Sequence, residues 1–191
     1  MFSLWRIDLI TVPVLKSSLR RLLKQIPSVP NPVGGMLEHA TLLLRPLDSS
    51  SVRAVVEPTA EAPLGFVRPR RLGLLERWFG GSVLEVREHE DASLLCTIRN
   101  SWLRPHHRLV YDADDHCVGA VRGRRLEDRN GRVLAVRRLN AELKCDVFRD
   151  LEGRSLATLR SEAEGVVIAF TEAAAEDPFT RMLVLAAALH V

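Results

Sequence analysis

A chain of 191 residues, 47% of them hydrophobic, is long and apolar enough for one domain with a real core, which excludes wholesale disorder. No run of about 18 uninterrupted apolar residues occurs, so an ordinary membrane-spanning helix is excluded as well. The net charge of +3 is mild, but all except three of the 27 basic residues are arginine. Arginine favours bidentate pairing with carboxylates or phosphates, although surface charge usually serves solvation alone.

Residues 1–35 are predicted to form an N-terminal extension and linker, which places the domain boundary before residue 36. After Pro13, apolar residues follow helical spacing from Leu15 to Ile26, and basic residues take the other side: Lys16, Arg20, Arg21 and Lys24. Such a helix can lie on an anionic membrane surface. The alternative is a helix that packs on the domain and covers a sheet edge or a barrel mouth.

From about Thr41 the apolar pattern changes to a period of two, which indicates strands. About eleven short strands follow, with turns every ~8 to 15 residues. Asn130-Gly131 is a strong hairpin signal. Three hairpins repeat one scheme of apolar strand, acidic or glycine turn and small-apolar strand, at 83–98, 109–121 and 145–159. In the third hairpin, Leu143 is expected to share a face with Cys145 and Val147.

The last stretch predicts a buried helix. Asp177 suits the N-cap and Pro178 the first helical position. No polar residue occurs from Met182 to Leu189, so every face of the helix is apolar and must be buried. About 14 residues reach only ~21 Å, which is short of the ~30 Å hydrocarbon core. The fold predicted is therefore mainly β, a closed antiparallel barrel of about twelve strands that encloses a hydrophobic C-terminal helix.

The cysteines and histidines give no sign of a metal or catalytic centre. Cys96, Cys117 and Cys145 are widely spaced, which predicts buried thiols in a reducing, cytoplasmic compartment. His106 and His107 would point to opposite faces of a strand, and Asp112, Asp114, Asp115 and His116 fit a solvated turn. No nucleophile elbow, phosphate-binding loop or dinucleotide motif is present. We predict no catalytic residue, no metal and no cofactor.

Several scattered features resemble the Tubby C-terminal-like superfamily, and within it the phospholipid scramblase and LURP-one-related branches. The resemblance covers about residues 42–191 and is carried by Tyr111-Asp112, Gly119, the segment 148–154, Leu156-Ala157, Phe170 and the apolar end helix. It implies a twelve-stranded barrel around a hydrophobic C-terminal helix, and association with lipid. The segment 172–177 is too short for the calcium-binding loop of animal scramblases, and their palmitoylated cysteine cluster has no counterpart here.

Arginine clusters are the candidate functional residues. One contains Arg68, Arg70, Arg71 and Arg77, and the other contains Arg122, Arg124, Arg125, Arg129, Arg132, Arg137 and Arg138. We predict a non-enzymatic, scramblase-like protein, peripheral at the membrane, in which Arg68, Arg70, Arg71, Arg77, Arg122, Arg124 and Arg125 bind anionic phospholipid headgroups. The alternatives are a protein-interaction or scaffold module and a nucleic-acid-binding protein; few aromatic residues accompany these arginines, which disfavours the latter.

Overall fold

Twelve β-strands, each antiparallel to its neighbours, form most of the computed structural model. It describes residues 35–47, 51–59, 62–70, 73, 81–88, 93–101, 104–175 and 177–189, all within the unit Pro32–Val191. The strands are β1 (Thr41–Pro46), β2 (Arg53–Val56), β3 (Pro63–Pro69), β4 (Val83–Arg87), β5 (Leu94–Ser101), β6 (Arg104–Asp112), β7 (Cys117–Arg122), β8 (Arg125–Asp128), β9 (Val133–Asn140), β10 (Cys145–Asp150), β11 (Ser155–Glu162) and β12 (Gly165–Phe170).

The sheet closes on itself because β1 pairs with both β2 and β12. Leu43 shows this directly, since it lies opposite Val56 on one side and Val167 on the other. Closure leaves the sheet without an unpaired edge. The mainly-β class and the closed antiparallel barrel of about twelve strands are thus confirmed. No helix in the described part of the chain combines the length and apolar character that crossing a bilayer requires.

Two details of the predicted strands were wrong. The short strand β8 was not predicted; it follows a two-residue turn at Gly123-Arg124, where Gly123 has φ +57°. Leu143 does not share the buried face of Cys145 and Val147. It lies in the turn 141–144 with 58% of its surface exposed, because the strand begins only at Cys145.

One turn design recurs at three hairpins. The Oδ1 atoms of Asp112, Asp128 and Asp150 each accept two backbone N–H groups, two and four residues further on, at 2.8–3.0 Å. The residue three positions after each aspartate has a positive φ, and in two of the turns it is glycine. Each carboxylate therefore pairs the N–H groups that the tight turn would leave without partners. The β8–β9 hairpin belongs to this repeated scheme together with two of the hairpins predicted to share it.

Helix α1 (Glu172–Ala175) and helix α2 (Pro178–Ala188) complete the chain, and a 3₁₀ turn (Met36–Glu38) precedes β1. Asp177 caps α2 as predicted, and its side chain accepts the N–H of Phe179 at 3.0 Å. Every residue from Thr180 to Leu189 is buried. The helix belongs to one core cluster with strand residues such as Phe148 and Leu126. Burial on all sides is what an apolar helix requires.

Two buried arginines hold this helix by its ends. Arg181 donates from Nε to the carbonyl of Ala174 at 3.0 Å and from Nη1 to the carbonyl of Leu37, while its guanidinium stacks on Phe170. Burial lowers the pKa of Arg181, and nearby Glu38 acts in the opposite direction. Near the other end, Arg108 donates from Nη1 to the carbonyl of Ala186 at 2.8 Å. A cation there complements the helix dipole.

The core position of α2 gives a first prediction. Replacement of the fully buried Leu185 by alanine should lower the free energy of unfolding by about 2–5 kcal/mol, because it removes apolar contacts and leaves a cavity. Urea denaturation measures this change. Leu151→Ala is the control, since Leu151 is 75% exposed and its truncation should cost under about 0.5 kcal/mol. Equal stability of the two variants would contradict the described packing.

Arg181 gives a second prediction. Arg181→Met keeps much of the side-chain volume but removes the donors to the carbonyls of Ala174 and Leu37. We expect the free energy of unfolding to fall by about 1–3 kcal/mol for each carbonyl left unpaired. Arg160→Met, at an exposed arginine, is the matched control and should stay near wild type. An Arg181→Met protein as stable as this control would show that the hydrogen bonds of Arg181 to the carbonyls of Ala174 and Leu37 do not contribute to the free energy of unfolding.

The cysteines give a third prediction. All three are free thiols, with Cys96 and Cys145 buried and Cys117 half-buried. Burial raises the pKa of Cys96 to about 12, so its thiolate is scarce up to about pH 10. Native protein treated with iodoacetamide at neutral pH should carry no label on Cys96, as read by peptide mass spectrometry, and should gain it in urea. Labelling of Cys96 in the native protein would show that it is accessible.

Candidate functional site

The antiparallel order sorts the turns between two ends of the barrel. Turns from an odd-numbered strand to the next even-numbered one lie at one end, and the remaining turns lie at the other. Among the arginines at the first end are six that we call the arginine rim: Arg68, Arg70, Arg122, Arg124, Arg125 and Arg138. The second, the aspartate end, carries the repeated turns of Asp112, Asp128 and Asp150. The arginines of the rim and the repeated aspartate turns therefore lie at opposite ends of the barrel.

The predicted arginines fall on this rim in two groups. Arg68 and Arg70 lie at the end of β3, whereas Arg122, Arg124 and Arg125 lie on the β7–β8 hairpin. Four strand spacings separate β3 from β7, about 19 Å along the wall at ~4.8 Å each. The two groups share an end of the barrel without forming a single cluster. The remaining candidates lie outside the described residues: Lys16, Arg20, Arg21, Lys24, Arg71 and Arg77.

The second predicted cluster is divided between the two ends. Arg129 and Arg132 belong to the β8–β9 turn at the aspartate end, where the backbone N–H of Arg132 binds Asp128. Strand β9 then carries the chain across the barrel to Arg137 and Arg138. Proximity in sequence therefore gave the wrong grouping, because five to six strand residues at ~3.3 Å each separate Arg132 from Arg137 and Arg138 by about 17–20 Å.

Some arginines at the rim's end of the barrel are neutralised by carboxylates. Arg122 Nε lies 3.1 Å from Glu127 Oε2, and Glu127 is itself almost fully buried. Arg68 Nε lies 3.4 Å from Glu85 Oε2. Arg137 Nη2 lies 2.5 Å from Asp146 Oδ2. Each of these three arginines therefore has a carboxylate partner, although Glu85 is shared with Arg87 at 3.2 Å.

Other rim arginines have no such partner. No carboxylate of the described residues lies within ion-pair distance of Arg70, Arg124, Arg125 or Arg138, and all four are exposed. Three of them gather on neighbouring hairpins, since Arg125 pairs in register with Val136 and the Arg124 carbonyl accepts the N–H of Arg137 at 2.7 Å. This group contains the strongest uncompensated positive charge on the rim. The sequence placed Arg138 in one cluster with Arg124 and Arg125, and the pairing of β8 with β9 keeps these three at one end of the barrel.

The rim is not basic all the way round. Glu142 lies in the β9–β10 turn, and the β11–β12 turn carries Glu162 and Glu164. Glu164 pairs with Arg45, with 2.6 Å between Oε2 and Nη2. Three of the four unpaired rim arginines, Arg124, Arg125 and Arg138, therefore lie in one sector that is centred on the β7–β8 hairpin, and Arg70 lies apart at the end of β3.

The aspartate end holds the larger of two described clefts, with a volume of about 590 Å³. Val118, Leu134 and Leu183 form its apolar wall, and Asp112 and Asp128 lie at its margin. These two carboxylates already accept backbone N–H groups in their turns. Among the described residues, no group of three or more His, Cys, Asp or Glu side chains is placed to hold a metal ion.

Comparisons with protein-family models, curated proteins and solved structures find no match to this chain. The chemistry of the two barrel ends is therefore the basis on which a function is assigned.

Proposed function

We propose that this chain is a non-enzymatic, scramblase-like protein of the Tubby-like fold, whose barrel encloses α2 and whose arginine rim binds anionic phospholipid headgroups. Two structural features support the fold assignment: a closed barrel of twelve antiparallel strands and a C-terminal helix buried on every side. Both are what the resemblance to that superfamily implies. The membrane contact is assigned to the rim because α2 is buried in the core cluster and offers no free apolar face.

The exposed and unpaired state of Arg124, Arg125 and Arg138 is the observation that carries the proposal. A guanidinium presents a planar fork of donors that matches the oxygens of a phosphate. A basic residue near an anionic membrane surface contributes roughly 1 kcal/mol of attraction. Three or four arginines together therefore provide about 3–4 kcal/mol, enough for reversible peripheral binding but not for permanent anchoring. The acidic turns at the other end repel the same surface and orient the barrel.

The fourth prediction tests this proposal with charge-neutral substitutions. Arg124→Gln with Arg125→Gln should reduce partitioning onto vesicles of phosphatidylcholine mixed with phosphatidylserine by about 30-fold, since two contributions of roughly 1 kcal/mol are lost. Co-sedimentation at low salt measures the partition coefficient. Arg129→Gln with Arg149→Gln is the matched control, because it removes the same charge from exposed residues at or near the aspartate end.

We expect the control variant to bind like the wild type and all binding to weaken as salt is raised. Equal recovery of wild-type protein with neutral and anionic vesicles would overturn the proposal. So would equal losses in the two double variants, since the rim would then have no special role. A parallel titration with DNA separates nucleic-acid binding, which would show a steep salt slope without any need for lipid.

A further inference from the structure

The β9–β10 hairpin exposes two leucines to solvent. Leu139, the next-to-last residue of β9, is 69% exposed, and Leu143 in the following turn is 58% exposed. Most large apolar side chains described in this barrel are buried or half-buried. A single exposed leucine is ordinary, but two on one hairpin tip form an apolar projection that water solvates poorly.

The turn that carries Leu143 is ordered by its own hydrogen bonds. The Oδ1 atom of Asn140 accepts the backbone N–H groups of Glu142 at 3.1 Å and Leu143 at 3.2 Å. Lys144 closes the turn with a φ of +48°, and Asn140 pairs with Cys145 at the base. The leucines are therefore held outside the core by a formed turn. Their exposure is a property of the folded hairpin.

The exposed leucines lie beside the unpaired cations. Arg138 precedes Leu139 in β9, so their side chains leave opposite faces of the strand at the same end of the barrel. The Arg124 carbonyl accepts the N–H of Arg137 on this strand, which brings the β7–β8 turn to the same end. Lys144 follows Leu143 and offsets the charge of Glu142 within the turn. Leu139 lies opposite Asp146, whose carboxylate is already paired with Arg137. Apolar side chains at the same end of the barrel as unpaired cations favour the boundary between headgroups and acyl chains of an anionic bilayer.

Charge distinguishes this tip from the apolar residues at the other end. Leu151 and Phe179 are also exposed, at 75% and 50%. Leu151, however, follows Asp150 and precedes Glu152, and Phe179 lines the cleft beside Asp112 and Asp128. Arg154 pairs with both carboxylates beside Leu151, which leaves the β10–β11 turn with a net charge of −1, whereas Arg138, Glu142 and Lys144 give the β9–β10 tip a net charge of +1. An anionic surface therefore favours the tip that carries Leu139 and Leu143. The partner that fits the β9–β10 tip is therefore an anionic lipid surface.

We propose that Leu139 and Leu143 insert into the headgroup–acyl boundary of an anionic bilayer and form an apolar anchor beside the arginines. This inference rests on the proposed function, and it adds a contact that electrostatics alone does not provide. Arginines draw the rim to the surface in a salt-dependent step. The leucines then contribute binding that salt does not screen, because apolar transfer does not depend on charge.

The fifth prediction follows from these two contributions to binding, one from the arginines that depends on salt and one from the leucines that does not. Leu139→Ser with Leu143→Ser should lower the partition coefficient on phosphatidylserine-containing vesicles by at least about tenfold, because two apolar side chains no longer leave water. The slope of binding against salt should stay that of the wild type, since all arginines remain. Leu151→Ser is the control and should bind like the wild type. A double serine variant that binds as tightly as the control would overturn the inference.

An insertion readout separates this inference from the proposed function. In full-length protein with Cys117→Ser, a polarity-sensitive fluorophore is placed in turn on Leu139→Cys, Leu143→Cys and Leu151→Cys; Cys96 and Cys145 are buried. With anionic vesicles, emission should shift to the blue at the first two positions and stay unchanged at the third. Sedimentation without a blue shift at 139 and 143, or with the same shift at all three positions, overturns insertion and leaves headgroup binding intact. Absence of sedimentation overturns both.

Discussion

The rest of the structure depends on the burial of one apolar helix. Helix α2 has no polar side chain between Met182 and Leu189, so its stability requires apolar neighbours on every side. Strand residues of the same core cluster supply them. Its polar ends then need partners away from water: Asp177 accepts the N–H of Phe179 at the start of the helix, and Arg108 donates to the carbonyl of Ala186 near its end. Arg181 ties the first turn of the helix to the carbonyls of Ala174 and Leu37. Burial of this apolar helix therefore depends on three features: the barrel wall, the two buried arginines and the acidic cap.

Arginine serves three distinct purposes in this chain, and only the fold distinguishes them. Arg108 and Arg181 are buried and bind backbone carbonyls, so their charge is used inside the protein. Arg122 is balanced by a buried glutamate. Arg124 and Arg125 meet no carboxylate among the described residues and face solvent. An arginine that is neither buried nor paired can bind a ligand. Arg124 and Arg125, in the β7–β8 sector of the rim, meet both conditions.

The barrel and the helix cap could be predicted because they rest on local patterns. Period-two alternation, an Asn-Gly turn and an Asp-Pro helix start are all visible within a few residues. The roles of the arginines could not be predicted from the sequence, because these roles depend on contacts between distant parts of the chain. Arg181 binds a carbonyl 144 residues earlier in sequence, and Arg138 joins Arg124 only when β8 and β9 pair. Strand β8 was missed because only one of its four residues, Leu126, is apolar, so it shows no alternation.

The pairing of β1 with β12 has a consequence for how the protein is made. Thr41 lies opposite Ala169, so β1 gains its second neighbour only after β12 has been synthesised. Until then β1 exposes a row of unpaired backbone groups, which is a template for contact with other chains. Helix α2 follows β12 in the chain and is therefore synthesised after the wall that it packs against. The barrel cannot close around its core before β12 and α2 have both emerged from the ribosome, and the edge of β1 must be shielded until then.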